Sequence, residues 1–231
     1  MPEAILAYGF TAVPRNVDVL LQGQTRVHAP KAVLVADVPL PDTPLAAEVL
    51  TYAQTKLPVE TYNHSMRVYY FGKAIAHEQF PDWSFSDETY LLTALLHDIG
   101  TTATNLRASL MSFEFYGGLL ALELLHSELH APKAQAESVA EAIFRHQDLG
   151  GTGSITTVGQ LIQLATILDN MGEHSALVHP DTIKDVTAHF PRRHWSLCFA
   201  ATIREENRLK PWAHTTALGP EDSPTVCWAM C

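Results

Sequence analysis

Leu91-Leu92-Thr93-Ala94-Leu95-Leu96-His97-Asp98-Ile99-Gly100 sets an apolar run against an imidazole and a carboxylate placed side by side at its end. Leucines at 91, 92, 95 and 96 have the length and spacing of a buried helix. Ser86-Asp87-Glu88-Thr89 starts it. The helix is expected to run into His97-Asp98 and to stop at Gly100. Burying two polar side chains there is costly unless a metal ion or a hydrogen-bond network takes them up.

Outward from this pair, the same conflict recurs at three other positions. His64 shares a helical stripe with Val68, Phe71 and Ile75. His146 follows Val139, Ala142 and Ile143 on one face, and Asp169 falls four residues after Ala165 and eight after Leu161. A lone histidine in such a place is most often a hydrogen-bonded core residue, and Asp98 alone would be satisfied by N–H groups of the following turn. Taken together, the four or five coincidences point to one divalent ion held by His64, His97, Asp98 and Asp169, with positions left open for water or substrate. Zinc is the expected ion; two imidazoles and two carboxylates also suit Fe²⁺, Mn²⁺ or Ni²⁺. His77, His130, His179 and His189 sit beside loops or charges and read as solvated, while His126 lies on an apolar stretch and reads as a core candidate, and His214 belongs to the tail.

The surrounding pattern is helical throughout. Residues 45–57 show helical spacing, Thr61 reads as the cap of the His64 helix, and further helices are expected over 113–126, 134–146, 158–171, from Asp181, and over 195–208. Asp148 to Ser154 reads as a loop, and no strand alternation persists. The expected fold is all-α, a helical bundle over 43–210. An N-terminal arm over 1–42 is broken by Pro14, Pro30, Pro39 and Pro41, and an irregular tail spans 211–231.

Composition narrows the function classes. Of 231 residues, 47% are hydrophobic and 17% charged, which supports a large core and disfavours bulk disorder. A net charge of −10 disfavours nucleic acid and anionic membrane surfaces as partners. No apolar run approaches the roughly 20 residues of a membrane-spanning helix, and Met1 to Tyr8 lacks the basic start of a signal peptide. Three cysteines, two of them within the last five residues, read as reduced and cytoplasmic. Cys227 and Cys231 lack a second pair and are not read as zinc ligands. Homo-oligomer formation is left open.

The order His64, His97-Asp98, Asp169 resembles the signature of the HD superfamily, helical metal-dependent enzymes that mostly cleave phosphate esters. A closer resemblance lies in Thr11-Ala12-Val13-Pro14, Glu60-Thr61-Tyr62-Asn63-His64-Ser65-Met66-Arg67-Val68, His97-Asp98-Ile99-Gly100-Thr101 and Met111-Ser112-Phe113-Glu114. Tyr116-Gly117-Gly118, Ala140 to His146, Gly159 to Thr166 and Lys210-Pro211-Trp212 extend it. These segments, spanning about residues 10 to 216, are similar to those of fungal cyanamide hydratases. The resemblance implies an HD-fold helical domain, one zinc ion, and hydration of the cyanamide nitrile to urea. In that setting Asp98 orients water and accepts its proton, and His146 donates a proton to the nitrile nitrogen. Phe113, Trp195 and Phe199 are expected to wall a small apolar pocket.

The alternative is an HD metal-dependent phosphohydrolase acting on a nucleotide. Many such enzymes carry a basic residue soon after the dipeptide, whereas here no positive charge follows until Arg107. Binuclear members usually place a further histidine four residues before a helix glycine; the corresponding position before Gly117 is Phe113. A metal-bearing regulatory or storage protein is the non-enzymatic alternative, and a closed site would favour it.

Overall fold

The computed structural model describes residues 2–148 and 150–218. The arm contains α1 (Pro2–Ala7), β1 (Ala12–Pro14), α2 (Val17–Leu20) and a 3₁₀ turn at Val35–Asp37. Then follow α3 (Pro44–Lys56), α4 (Val59–Gln79), α5 (Asp87–Leu96), a 3₁₀ turn (Ile99–Thr101), α6 (Ala103–Ala108) and α7 (Phe113–Leu122). A π-helical turn (Glu123–Glu128) extends α7, followed by α8 (Lys133–Arg145), β2 (Ser154–Thr156), α9 (Thr157–Met171), α10 (Pro180–His189) and α11 (Trp195–Leu209). The last described residues form a 3₁₀ turn, His214–Leu218.

Local chemistry sets most boundaries. Ser86 accepts a hydrogen bond from the Thr89 amide at 3.1 Å and opens α5, as its sequence implies. Thr43 and Thr156 cap α3 and α9 in the same way, and Gly172, in the left-handed region at φ 73°, closes α9. Two boundaries differ from expectation. α4 begins at Val59, behind Pro58, so Thr61 is a buried residue inside the helix rather than its cap. α5 ends at Leu96, before the dipeptide, and Gly100 lies in the next turn. A Cβ at Gly100 would stand 2.1 Å from the Phe113 carbonyl oxygen, so its role is to let α7 approach closely.

The long helix α4 packs against α9, α5 and α10, while α8 packs against α7, α5 and α9. Thr89 to Leu96 of α5 are buried without exception, which places this helix at the centre. Val68, Phe71, Ile75, Leu161, Ile162 and Leu164 join it in one main core. At about 25 cal/mol per Å² of apolar area, such burial is the main force holding the bundle together. A smaller apolar cluster of Leu106, Phe113, Trp195, Phe199 and Ile203 joins α6, α7 and α11.

The arm is tied down by strand pairing that the sequence reading missed. β1 and β2 form an antiparallel pair with Val13 opposite Ile155. Three-residue strands carry too little alternation to be read from sequence. The arm is also held by Thr157 Oγ1, which donates to the Gly9 carbonyl at 2.8 Å, and by the Val33 amide, which donates to Thr182 Oγ1 at 2.8 Å. Cys227 and Cys231 lie outside the described residues, as does most of the tail.

Candidate metal centre

Four helices deliver the site. α4 contributes His64 near its start, the end of α5 gives His97 and Asp98, the end of α8 gives His146, and the last turn of α9 gives Asp169. All five are at least 97% shielded from solvent, with His146 the most exposed at 3%. Groups of this kind are almost never buried so deeply without partners.

His64 Nε2 lies 3.1 Å from His97 Nε2. The other nitrogen of each ring is committed: His64 Nδ1 meets Asp169 Oδ2 at 2.6 Å, and His97 Nδ1 meets the Ala94 carbonyl at 2.8 Å. Those partners accept, so both Nδ1 atoms carry the proton and both Nε2 atoms present lone pairs. Asp98 Oδ2 stands 3.3 Å from His97 Nε2 and 3.7 Å from His64 Nε2. One atom from each of His64, His97 and Asp98 falls within 4.8 Å of the others.

Two further observations fit a cation. Both oxygens of Asp98 are buried without a hydrogen-bond partner. So is His146 Nε2, which faces Asp98 Oδ1 at 3.7 Å while His146 Nδ1 donates to the Ile143 carbonyl at 2.7 Å. Orphaned acceptors that converge in a dry pocket carry a large desolvation cost, which a divalent ion relieves. Burial pushes the His64 imidazole down to about 4 against the opposing pull of Asp169, so it is neutral at pH 7, as a ligand must be. Burial alone would raise the Asp98 carboxyl; the imidazoles of His97, His146 and His64 gathered around it outweigh burial and hold Asp98 well below the usual carboxylate range.

Asp169, expected among the ligands, is spoken for on both oxygens. Arg67 donates from Nε to Oδ1 and from a terminal nitrogen to Oδ2, each at 2.8 Å, and Arg192 donates to Oδ1 at 2.9 Å. Together with His64 Nδ1 these make four charge-assisted contacts on one carboxylate. Asp169 stays outside the group of three donors. Arg67 was not picked out by sequence reasoning, although it lies three residues after His64 and therefore on the same helix face.

Aromatic rings close the site. Trp195 stacks on His64 at 4.2 Å between centroids, and Phe199 stacks on Trp195 at 5.3 Å. Phe113 meets His146 edge-on at 5.6 Å. Trp195 follows Arg193 and His194, both in the left-handed region at φ 48° and 61°, a strained conformation for residues with a Cβ. The Trp195 indole N–H donates to Asn170 Oδ1 at 2.7 Å. His214 lies at a second place, where it meets Glu114 Oε1 at 2.7 Å. His126, read as a core candidate, is exposed.

A buried His-His-Asp group in an all-α bundle is the arrangement of an HD domain, and residues 61–171 match the HD domain family model. Over 219 residues, 95% of both chains, the sequence is 45% identical to cyanamide hydratase DDI2 of Saccharomyces cerevisiae, and equally to cyanamide hydratase DDI3 of that organism. The chain belongs to the HD-domain cyanamide hydratase family.

Proposed function

We propose that this chain is a zinc-dependent hydro-lyase that adds water to the nitrile of cyanamide to give urea, at a metal ion held by His64, His97 and Asp98. The observation that carries the reading is the convergence of orphaned acceptors, Asp98 Oδ1 and Oδ2 and His146 Nε2, in a pocket walled by rings. The 45% identity over 95% of both chains to two cyanamide hydratases supports the substrate. When bound, the ion supplies Lewis acidity and lowers the pKa of water towards roughly 7.

The chain's own groups then carry the remaining work. Asp98 Oδ1 accepts a proton from water as its oxygen bonds to the nitrile carbon. The proton passes from Asp98 Oδ1 to His146 Nε2, 3.7 Å away, and from there to the nitrile nitrogen as one C–N π bond is lost, which restores both groups. The isourea product, HN=C(OH)NH₂, tautomerises to urea. Phe113 and Trp195 exclude bulk water and restrict the space to a narrow, uncharged substrate.

Asp169 acts through His64 in this scheme. Its hydrogen bond fixes the ring and its tautomer, as carboxylates commonly do behind a ligating imidazole. The phosphohydrolase alternative gains little, since Arg67 and Arg192 contact Asp169 and not His64, His97 or Asp98. The free, exposed Cys198 suits a reducing, cytoplasmic setting, and no described helix is long and apolar enough to cross a membrane. Incubation of the metal-loaded chain with cyanamide, with urea measured alongside phosphate release from nucleoside monophosphates, tests the reading. Urea without phosphate is expected; phosphate release at a comparable rate would put the alternative first.

A further inference from the structure

Asp169 and Arg192 also line a cavity of about 900 Å³ that none of His64, His97, Asp98 or His146 reaches. It opens among α9, α10 and the N-terminal arm, with Phe71, Leu168, Val178 and Ile183 as apolar walls. A volume near the upper end of the roughly 300–1,000 Å³ typical of small-molecule pockets has no use for cyanamide, a molecule of one carbon and two nitrogens. The cavity therefore fits a second, larger ligand.

The charges around it select the sign of that ligand. Arg26, Lys184 and Arg192 supply three cations. The acids are Asp169, whose charge is already met by Arg67 through two hydrogen bonds, and Asp181 in the first turn of α10. His179 is also present, its Nδ1 accepting from the Asp181 amide. Arg192 is held in place by Asp169 Oδ1 at 2.9 Å and Ser196 Oγ at 3.2 Å, which leaves further guanidinium N–H donors for an anion. A fixed guanidinium beside apolar walls is the chemistry of a carboxylate carried on a hydrocarbon body.

We propose that this cavity is an accessory site for an amphipathic organic anion, with the head group met by Arg192 and the rim cations and the apolar body lying against Phe71, Leu168, Val178 and Ile183. The cavity shares only Asp169 with the residues around the metal centre, and the proposal does not depend on which nitrile the enzyme hydrates. Calorimetric titration of the metal-loaded full chain with octanoate tests it, with octanol and inorganic sulfate as matched controls. One octanoate per chain is expected, with each control at least about tenfold weaker. The double variant Arg26→Ala, Lys184→Ala should weaken octanoate by about tenfold or more, and Ala176→Phe, which places a ring in the cavity, should do likewise. Both leave urea formation unchanged, which shows that the chain is folded. Equal binding of octanol, sulfate as tight as octanoate, unaltered affinity in both variants, or competitive displacement of octanoate by urea would each overturn the proposal.

Discussion

His64 and His97 point their Nε2 atoms at one another across 3.1 Å, each with its Nδ1 already committed to an acceptor. Two imidazoles so arranged present two lone pairs to one point, a repulsive geometry unless a proton or a cation lies between them. The nearby Asp98 oxygens, buried and unpartnered, tip the balance towards a divalent cation.

Elemental analysis of the purified chain should accordingly give one metal equivalent, predominantly zinc, and chelation should abolish urea formation. Phe113, at the position where a second-metal histidine is expected from sequence, is fully buried with its ring against His146. Two tightly bound equivalents would contradict the mononuclear site.

Replacing His97 or Asp98 by alanine should remove both metal and turnover. His146→Ala should keep the metal and lose turnover by about 10²-fold or more, the usual contribution of a positioned acid. Loss of metal from His146→Ala to the same degree as from Asp98→Ala would make His146 a ligand and remove it as proton donor.

Asp169→Asn should keep measurable metal but weaken its affinity or the turnover by about 10–100-fold, the range found for partners behind a ligating histidine. It also strands the buried guanidinium of Arg67, and breaking a buried pair costs roughly 3–5 kcal/mol. Thermal unfolding should therefore place Asp169→Asn well below Arg192→Ala, because Arg192 retains contact with solvent. Equal melting temperatures would argue that Asp169 does not anchor both arginines.

The metal-free chain should be acid-labile through the same carboxylate. Burial opposes ionisation of Asp169, but the Arg67 charge and the His64 hydrogen bond prevail and hold its pKa below the ordinary value. A depressed folded-state pKa gives stability that is fully present above the unfolded value of about 3.9 and is lost as pH falls below it towards the folded value. Urea midpoints of the chelated protein should fall steeply below about pH 4. Asp169→Asn should flatten that slope; an unchanged slope would assign the acid sensitivity to other carboxylates.

The helices and the polar residues on their apolar faces were legible because burial repeats with the helical period. His64, His97, Asp98, His146 and Asp169 each stood out as a polar residue in an apolar stripe, and all five converge. What the sequence could not show was which carboxylate faces the centre and which faces the arginines. That division depends on Arg192, whose 23-residue separation from Asp169 leaves no periodic trace. The sheet escaped notice for a similar reason: Ala12 and Thr156 pair although they are far apart in the chain, and short strands have no period to read. His126 was misjudged because the π-helical turn Glu123–Glu128 rotates it off the apolar stripe to which a regular helix would assign it.

Trp195 and Phe199 sit on α11, beyond residue 171, whereas every side chain assigned to the metal lies within 61–171. Phe113 apart, the wall rings and the donors to the ion are thus written on separate stretches of the gene. Mutation in the later stretch can resize or repolarise the chamber over His64 while the earlier one goes on holding its ion. A lineage can try new nitriles, or lose the old one, without first having to rebuild the chemistry.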